Sequence, residues 1–266
     1  MAASGGFATR EVVMSIGGRD LRTILRAAVE KRHYVALWNT FKVHKKPINV
    51  LSDYLLGHGK YPRKIEVHTR LGEIDLALFS RDDLITVNEI FCRKDYPTEA
   101  EDKVIVDFGS NIGISAAYFM TQAPHSYTYL FEPLPMNVSR LRDNLKPFDG
   151  RFTIHECAVW LANGTVEFGW EDTGRYGGIG LKKDHSIVVE SVDSNEILRK
   201  LIDSHGRIDI LKIDVESFER ELVERIPDDV AQRINRIYVE FKFENNPLSR
   251  THRLSQYGSV THFVRA

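Results

Sequence analysis

The sequence predicts a doubly wound α/β fold: a mostly parallel sheet with helices on both faces, behind an N-terminal helical and hairpin extension. Three observations predict it. From Val104 onward, short apolar strands alternate with helical stretches, a grammar that yields parallel strands joined by right-handed crossovers. Val104-Ile-Val106 is a continuous apolar run, as a strand covered on both faces should be. A glycine turn follows it directly and opens into an apolar helix.

Taken in order, Leu21, Ile24, Leu25, Ala28 and Val29, then Val35, Leu37, Trp38 and Phe41, recur at helical spacing. They predict two or so helices between Asp20 and Leu56, broken near Lys46-Pro47. His58 to Pro62 reads as a turn. Ile65–Thr69 and Ile74–Leu78 alternate apolar and polar residues around Leu71-Gly72, the pattern of a hairpin. Ser80-Arg-Asp-Asp83 reads as a helix cap before a helix from Leu84 to Phe91. Beyond the acidic link 98–102, strands are expected at 104–106, 127–131, 152–154, 208–213 and 236–241. Helices are expected at 112–120, 136–145, 192–202 and 218–226. Only 23 residues follow Phe243, room for a helix and one strand such as Val260–Val264 rather than a full closing hairpin.

The composition, 42% hydrophobic and 27% charged over 266 residues, is that of a globular chain with one large domain or one domain and an appendage. No apolar run approaches the roughly 18–20 residues that cross a bilayer. The first residues lack the basic and apolar stretches of a secretory signal, so a cytoplasmic protein is expected. The two cysteines, Cys92 and Cys157, are far apart and read as free thiols in a reducing compartment. The net charge of −1 argues against a dedicated nucleic-acid binder. Between Arg19 and Lys64, however, eleven basic residues face three acidic ones. That excess would attract an anionic surface or substrate, or else form a solvated helix face.

In open sheets, ligands bind beyond the carboxyl ends of the strands. The first strand runs into Asp107-Phe-Gly109-Ser110-Asn111-Ile112-Gly113. Gly109 permits a tight turn and close ligand approach, and Gly113 lets the next helix pack near the strand. The glycines are four apart, unlike the G-x-G-x-x-G of nicotinamide sites. Asp107 would repel a pyrophosphate and suits a cation such as a sulfonium. The second strand ends Phe131-Glu132-Pro133, 23 residues after Gly109, where a carboxylate can accept both hydroxyls of a ribose.

These motifs, with Asn137, Cys157-Ala158-Val159 ahead of Asn163-Gly164, and Ile208-Asp-Ile-Leu-Lys212-Ile-Asp214-Val-Glu216, resemble the FkbM-type methyltransferase family. The likeness runs from about Leu84 to Phe243, and the segment around Asp83, Glu89 and Tyr96 is also similar. It implies a Rossmann-like methyltransferase domain over residues 63–266, with its core at 104–243, behind a helical extension at 1–62. It implies methyl transfer from S-adenosyl-L-methionine to a hydroxyl of a sugar, glycan or secondary metabolite. By position, Asp107, Gly109, Ser110, Asn111, Ile112 and Gly113 fall on the turn for the methionine end, Glu132 and Pro133 at the ribose, and Ala158 at the adenine. The chain departs from the family at Ser217, where glycine is usual, which would alter the acceptor pocket.

A hydroxyl acceptor needs a group to take its proton. Asp214 is the first candidate, and Glu216 and Glu240 are second. Asp214 could instead cap the following helix, or hold a divalent cation with Glu240. No tighter carboxylate cluster marks a metal site. The glycine-rich insert Trp170–Ser186, with Tyr176-Gly-Gly-Ile-Gly180, reads equally as an acceptor lid or a hairpin tip. His155 and His185 are weaker base candidates, and Lys212 is expected to pair rather than react. The extension would cover the site or mediate dimerisation. Two alternatives stay open: a nicotinamide-dependent oxidoreductase, and a non-catalytic cofactor-binding module.

Overall fold

The computed structural model describes residues 15–16, 19–20 and 31–266, with a two-residue ladder pairing Ser15–Ile16 and Arg19–Asp20. The first predicted helix, at Leu21 to Val29, lies outside the described residues. Helices α1 (Lys31–Val43) and α2 (Pro47–Leu56) follow, broken where Pro47 starts the second one. The fixed φ of proline suits the first turn of a helix, where its missing N–H is no loss. The hairpin pairs β1 (Arg63–Thr69) with β2 (Gly72–Leu78). Helix α3 (Arg81–Val87) carries the expected cap as a reciprocal box. Asp83 N donates to Ser80 Oγ at 3.2 Å, and Ser80 N donates to Asp83 Oδ2 at 2.8 Å. The helix runs on as one π-helical turn, Asn88–Cys92.

The central elements are β3 (Val104–Phe108), α4 (Ile114–Gln122), β4 (Tyr127–Phe131), α5 (Pro135–Leu145) and β5 (Phe152–His155). After them come β6 (Ala158–Trp160), β7 (Gly164–Trp170), β8 (Gly177–Ile179) and β9 (His185–Asp193). The chain then forms α6 (Ser194–His205), β10 (Ile208–Ile213), α7 (Glu219–Glu224), α8 (Asp228–Ala231), β11 (Ile234–Val239), β12 (His252–Tyr257) and β13 (Val260–Arg265). Seven strands form one sheet in the order β12-β13-β11-β10-β3-β4-β5. The five from β5 to β11 are parallel, and β13 and β12 close the edge antiparallel. Strand order reverses between β3 and β10, which is where a doubly wound sheet opens its crevice. A second sheet, β8-β7-β9-β6, stands beside it.

Two expectations need correction. A complete closing hairpin is present, because the turn between β12 and β13 takes only Gly258-Ser259, with Gly258 at φ 66°. No helix is needed there. The helix after the glycine turn begins at Ile114, not Ile112, because Asn111 (φ 47°) and Gly113 (φ 85°) hold left-handed conformations that a helix excludes.

The core lies on both faces of the sheet. Along β3, Ile105 packs with Phe119, Leu130 and Tyr96 on one face, while Val106 and Phe108 pack with Leu211, Ile213 and Leu222 on the other. Val67 and Leu76 of the hairpin and Leu84 of α3 join the first of these clusters. Asn144 ties the hairpin down: its Oδ1 accepts Ala77 N at 2.7 Å, and its Nδ2 donates to Ile112 O at 2.9 Å.

Candidate active site

The site grows from the two central strands. Asp107 on β3 and Lys212 on β10 are register partners. Lys212 Nζ donates to Asp107 Oδ1 and to Gly109 O, each at 3.0 Å, and sits 3.2 Å from Asp214 Oδ2. Ser115 Oγ donates to Asp107 Oδ2 at 2.5 Å. Burial opposes the charge on Lys212, but Asp107 and Asp214 outweigh it and push the lysine pKa up. Burial pushes Asp107 up as well, with Lys212 and Ser115 opposing. Asp107 is wholly enclosed and does not line the cavity. Its visible work is to orient Lys212, and through it Asp214.

Gly109 (φ 82°) is required by packing: a Cβ there would lie 1.7 Å from the carbonyl oxygen of Asp214. The strand end across the crevice, more than a ligand, fixes this glycine. A Cβ on Gly113 would lie 3.2 Å from Leu141 and Leu145, so this glycine serves the packing of the turn against α5. Glu132 is buried at the end of β4. Its Oε2 accepts Asn111 N at 2.9 Å, and its Oε1 accepts Leu134 N at 3.0 Å and Asn137 Nδ2 at 3.4 Å. Burial pushes its pKa up to about 7 against those bonds.

Beyond β10 the chain turns sharply, with Glu216 at φ 57° and Ser217 at φ 101°. Such conformations cost of order 1–3 kcal/mol each. Glu219 compensates by accepting Val215 N and Ser217 N on its two carboxylate oxygens, each at 3.1 Å. Glu216 is pushed up to about 7 by burial and by the charges of Asp214 and Glu219. Glu240, at the end of β11, accepts Tyr96 OH at 2.5 Å. It is pushed up to about 7 first by the charge of Asp214 and then by burial. The residue is exposed to solvent, so the charge of Asp214 rather than burial carries this shift.

A strap, residues 171–176 between β7 and β8, lies across the crevice. Asn111 Nδ2 donates to Arg175 O at 3.2 Å, Asn137 Nδ2 to Gly174 O at 2.8 Å, and Arg140 Nη1 to Thr173 O at 2.5 Å. Gly174 makes this approach feasible, since a Cβ would lie 2.7 Å from Asn137 Oδ1 and from the Met136 methyl. Arg175 brings a cation into the cleft. Burial works against its charge, and Asp214 and Glu240 outweigh that effect. Among the described residues its Nε has no hydrogen-bond partner.

The cavity so enclosed is lined by Gly109, Asn111, Glu132, Asn137, Phe168, Gly174, Arg175, Gly177, Asp214 and Glu216. Five residues expected from sequence therefore meet at one cavity: Gly109, Asn111, Glu132, Asp214 and Glu216. Ser110, Ile112, Gly113, Pro133, Ala158 and the candidate base Glu240 are not among the lining residues. Ser110 Oγ bridges the strand ends, donating to Asp107 O at 2.9 Å and accepting Phe131 N at 3.1 Å. Ile112 is buried in the core, and Ala158 is buried against Phe168 and Val189. His155 stacks on Phe131 with ring centroids 4.6 Å apart, and His185 Nε2 lies 2.6 Å from Asp172 Oδ1, so each is engaged elsewhere. The insert forms a hairpin, and Gly174 and Arg175 at its tip with Gly177 beside them line the cavity. Among the described residues no group of three or more His, Cys, Asp or Glu side chains is placed to hold a metal ion. Arg175 and Glu219 were not singled out by sequence: the carboxylates facing Arg175 come together only in the fold, and Glu219 serves a local turn that no sequence motif marks.

A family model described as the methyltransferase FkbM domain matches residues 107–260. The chain belongs to this methyltransferase family. Among relatives, Methyltransferase 1 of Beauveria bassiana is 25% identical over 175 residues, 57% of this chain and 70% of that protein. The 2-O-methyltransferase NoeI of Sinorhizobium fredii is 37% identical over 70 residues, 26% of this chain and 28% of that one. The hexuronic acid methyltransferase AglP of Haloferax volcanii is 25% identical over 159 residues, 59% of this chain and 63% of that one. The match thus spans less than two thirds of the latter two proteins. Among solved structures, a methyltransferase from Geobacter sulfurreducens aligns with a TM-score of 0.36 and 15% identity, over 62% of this chain and 72% of that one.

Proposed function

We propose that the protein is an S-adenosyl-L-methionine-dependent O-methyltransferase acting on a hydroxyl of a sugar or glycan. One observation carries the reading: Glu132, from the second strand, and Asp214, from across the switch point, line the same cavity. The residues present fit the nucleoside end of this cofactor. Asn137 Oδ1, at the cavity wall, is a buried acceptor without a partner among the described residues, and Glu132 stands where ribose hydroxyls would be accepted. The carboxylates around the cavity favour a cationic ligand. The cofactor supplies a methyl group activated on a sulfonium.

The chain's own part is to position and to move a proton. Lys212 holds Asp214 by Oδ2, leaving Oδ1 to accept the proton of an acceptor hydroxyl. Such general-base help contributes typically 10²–10⁴-fold. Glu216 and Glu240, both near neutrality, can relay that proton to solvent. Arg175, on the strap, supplies countercharge to Asp214 and Glu240. The sugar acceptor is favoured because relatives carry names specifying 2-O-methylation and hexuronic acid methylation.

Calorimetry with S-adenosylhomocysteine and NADH side by side, followed by mass spectrometry for a methyl increment across a panel of hydroxylated sugars, tests the proposal. Tight NADH binding alone, or no methyl increment on any acceptor, would remove it. Asp214→Asn should lower turnover at least about 100-fold while leaving S-adenosylhomocysteine affinity within about threefold. Unchanged turnover would take Asp214 out of the role of base.

A further inference from the structure

Helix α1 carries its amphipathic pattern inside out, and helix α2, which buries Val50, also leaves large apolar side chains outside. Helix α1 turns small and polar residues inward. Ala36, Thr40 and His44 are buried, Thr40 Oγ1 donates to Ala36 O at 2.8 Å, and Asn39 Nδ2 donates to Cys92 O at 2.7 Å. Its outward stripe is apolar: Leu37, Trp38 (66% exposed) and Phe41 (52%). Helix α2 continues the theme with Ile48 (73%), Leu55 and Leu56. Of the twelve exposed large hydrophobic side chains among the described residues, eight lie on these two helices, so this is a patch and not the scatter found on any surface.

Positive charge accompanies the patch. Lys42 on α1 and Lys46 at the start of α2 are exposed and make no ion pair among the described residues. Lys45 and Arg63, by contrast, are engaged by Glu66 and Asp53. The ammonium of Lys42 lies 5.4 Å from the ring centroid of Trp38, placing a cation beside the aromatic. Tryptophan, phenylalanine and leucine on one side with lysines beside them is the chemistry of a helix lying in an anionic lipid interface. No helix among the described residues is long and apolar enough to span a bilayer, so attachment would be at the surface.

We propose that α1 and α2 form a docking face for an anionic lipid surface. A second copy of the chain fits less well, because a twofold contact would lay the unpaired lysines against themselves. Protein interfaces are also depleted in lysine, which weighs against a protein partner. The face is one element from the cleft: α1 is bonded to the turn Asn88–Cys92 through Asn39, and the segment after that turn supplies Tyr96 to Glu240. Docking would therefore bring the cleft close to acceptors held at a surface. The proposal stands apart from the methyl-transfer reading, since vesicle binding requires no turnover.

Flotation of the full-length protein with phosphatidylcholine vesicles, with and without 30 mol% phosphatidylglycerol, tests it. We expect binding to the anionic vesicles only, lost at high salt. Lys42→Glu and Lys46→Glu should each weaken it about fivefold or more. Trp38→Ser combined with Phe41→Ser should abolish it, while circular dichroism and S-adenosylhomocysteine affinity stay unchanged. Trp38 emission, taken as the difference from Trp38→Phe, should shift to the blue on anionic vesicles. The proposal is overturned by absence of flotation, by flotation indifferent to these substitutions, or by Trp38 already shielded in the vesicle-free monomer. It is overturned equally by a dimer in sedimentation velocity that the double serine variant dissociates, or by saturable binding of polyglutamate without vesicle binding.

Discussion

Replacing Lys212 by methionine should be among the most damaging single changes at this site, and the reason is countable. Methionine keeps the length and apolar stem of the side chain but removes the ammonium that two carboxylates share, one of them fully enclosed. Breaking a buried pair by deleting one partner costs roughly 3–5 kcal/mol, because the remaining charge keeps its desolvation penalty. For an m-value of about 3 kcal/mol/M this moves the urea midpoint down by about 1–1.7 M at pH 7.5. The deficit should shrink on acidification. Without the lysine, nothing large offsets the burial that raises the Asp107 carboxyl, so the folded variant binds a proton that the unfolded chain does not. Stability relative to wild type therefore recovers as pH falls towards 5. Adding Asp107→Asn should restore a large part of the loss, since the stranded charge is gone. Urea unfolding followed by circular dichroism at pH 7.5 and 5.5 reads all three effects. A loss below about 1 kcal/mol, or one that grows at low pH, would refute the claim that Lys212 neutralises Asp107.

Three further outcomes are expected. If Glu132 must be ionised to accept ribose hydroxyls, its pKa of about 7 makes S-adenosylhomocysteine affinity fall as pH drops, by about tenfold between pH 8 and 6, and Glu132→Gln should flatten that profile in calorimetry. Gly109→Ala should cost about 2–5 kcal/mol from its left-handed φ and the overlap with Asp214 O, seen as a lowered thermal midpoint. Ser217→Gly should raise stability by about 1 kcal/mol in urea unfolding, because glycine relieves the strain at φ 101°.

The sheet was legible in the sequence because strands buried on both faces leave an uninterrupted apolar record, as at Val104–Val106, and because glycine turns and strand-ending acids recur at fixed places. Gly109, Asn111, Glu132 and Asp214 were found for that reason. What escaped was set by contacts between distant segments. Asp107 looked like a ligand-facing charge, and only its register with Lys212 shows that the fold has already engaged it. Arg175 sits inside the glycine-rich insert without distinction in the sequence, because its meaning depends on carboxylates at the ends of two other strands. The closing hairpin was missed through an assumption about length, when a two-residue turn suffices. For helix α1 the spacing gives the helix but not its orientation, since periodicity reports that a helix has two faces and not which of them points outward.

The contact between Gly109 and the carbonyl of Asp214 has a consequence for how such a scaffold can diversify. With no side chain between them, the two strand mouths behave as a single rigid jaw, and neither can be reshaped without dislodging the other. Variation in what is accepted must come from the opposite jaw, where the strap meets the cavity through hydrogen bonds that are individually weak and replaceable. A library randomised over Glu171, Asp172, Thr173 and Tyr176, with Gly174 kept because its Cβ would strike Asn137 and with Arg175 kept as the cleft's cation, would test this through changed acceptor range at unchanged S-adenosylhomocysteine affinity.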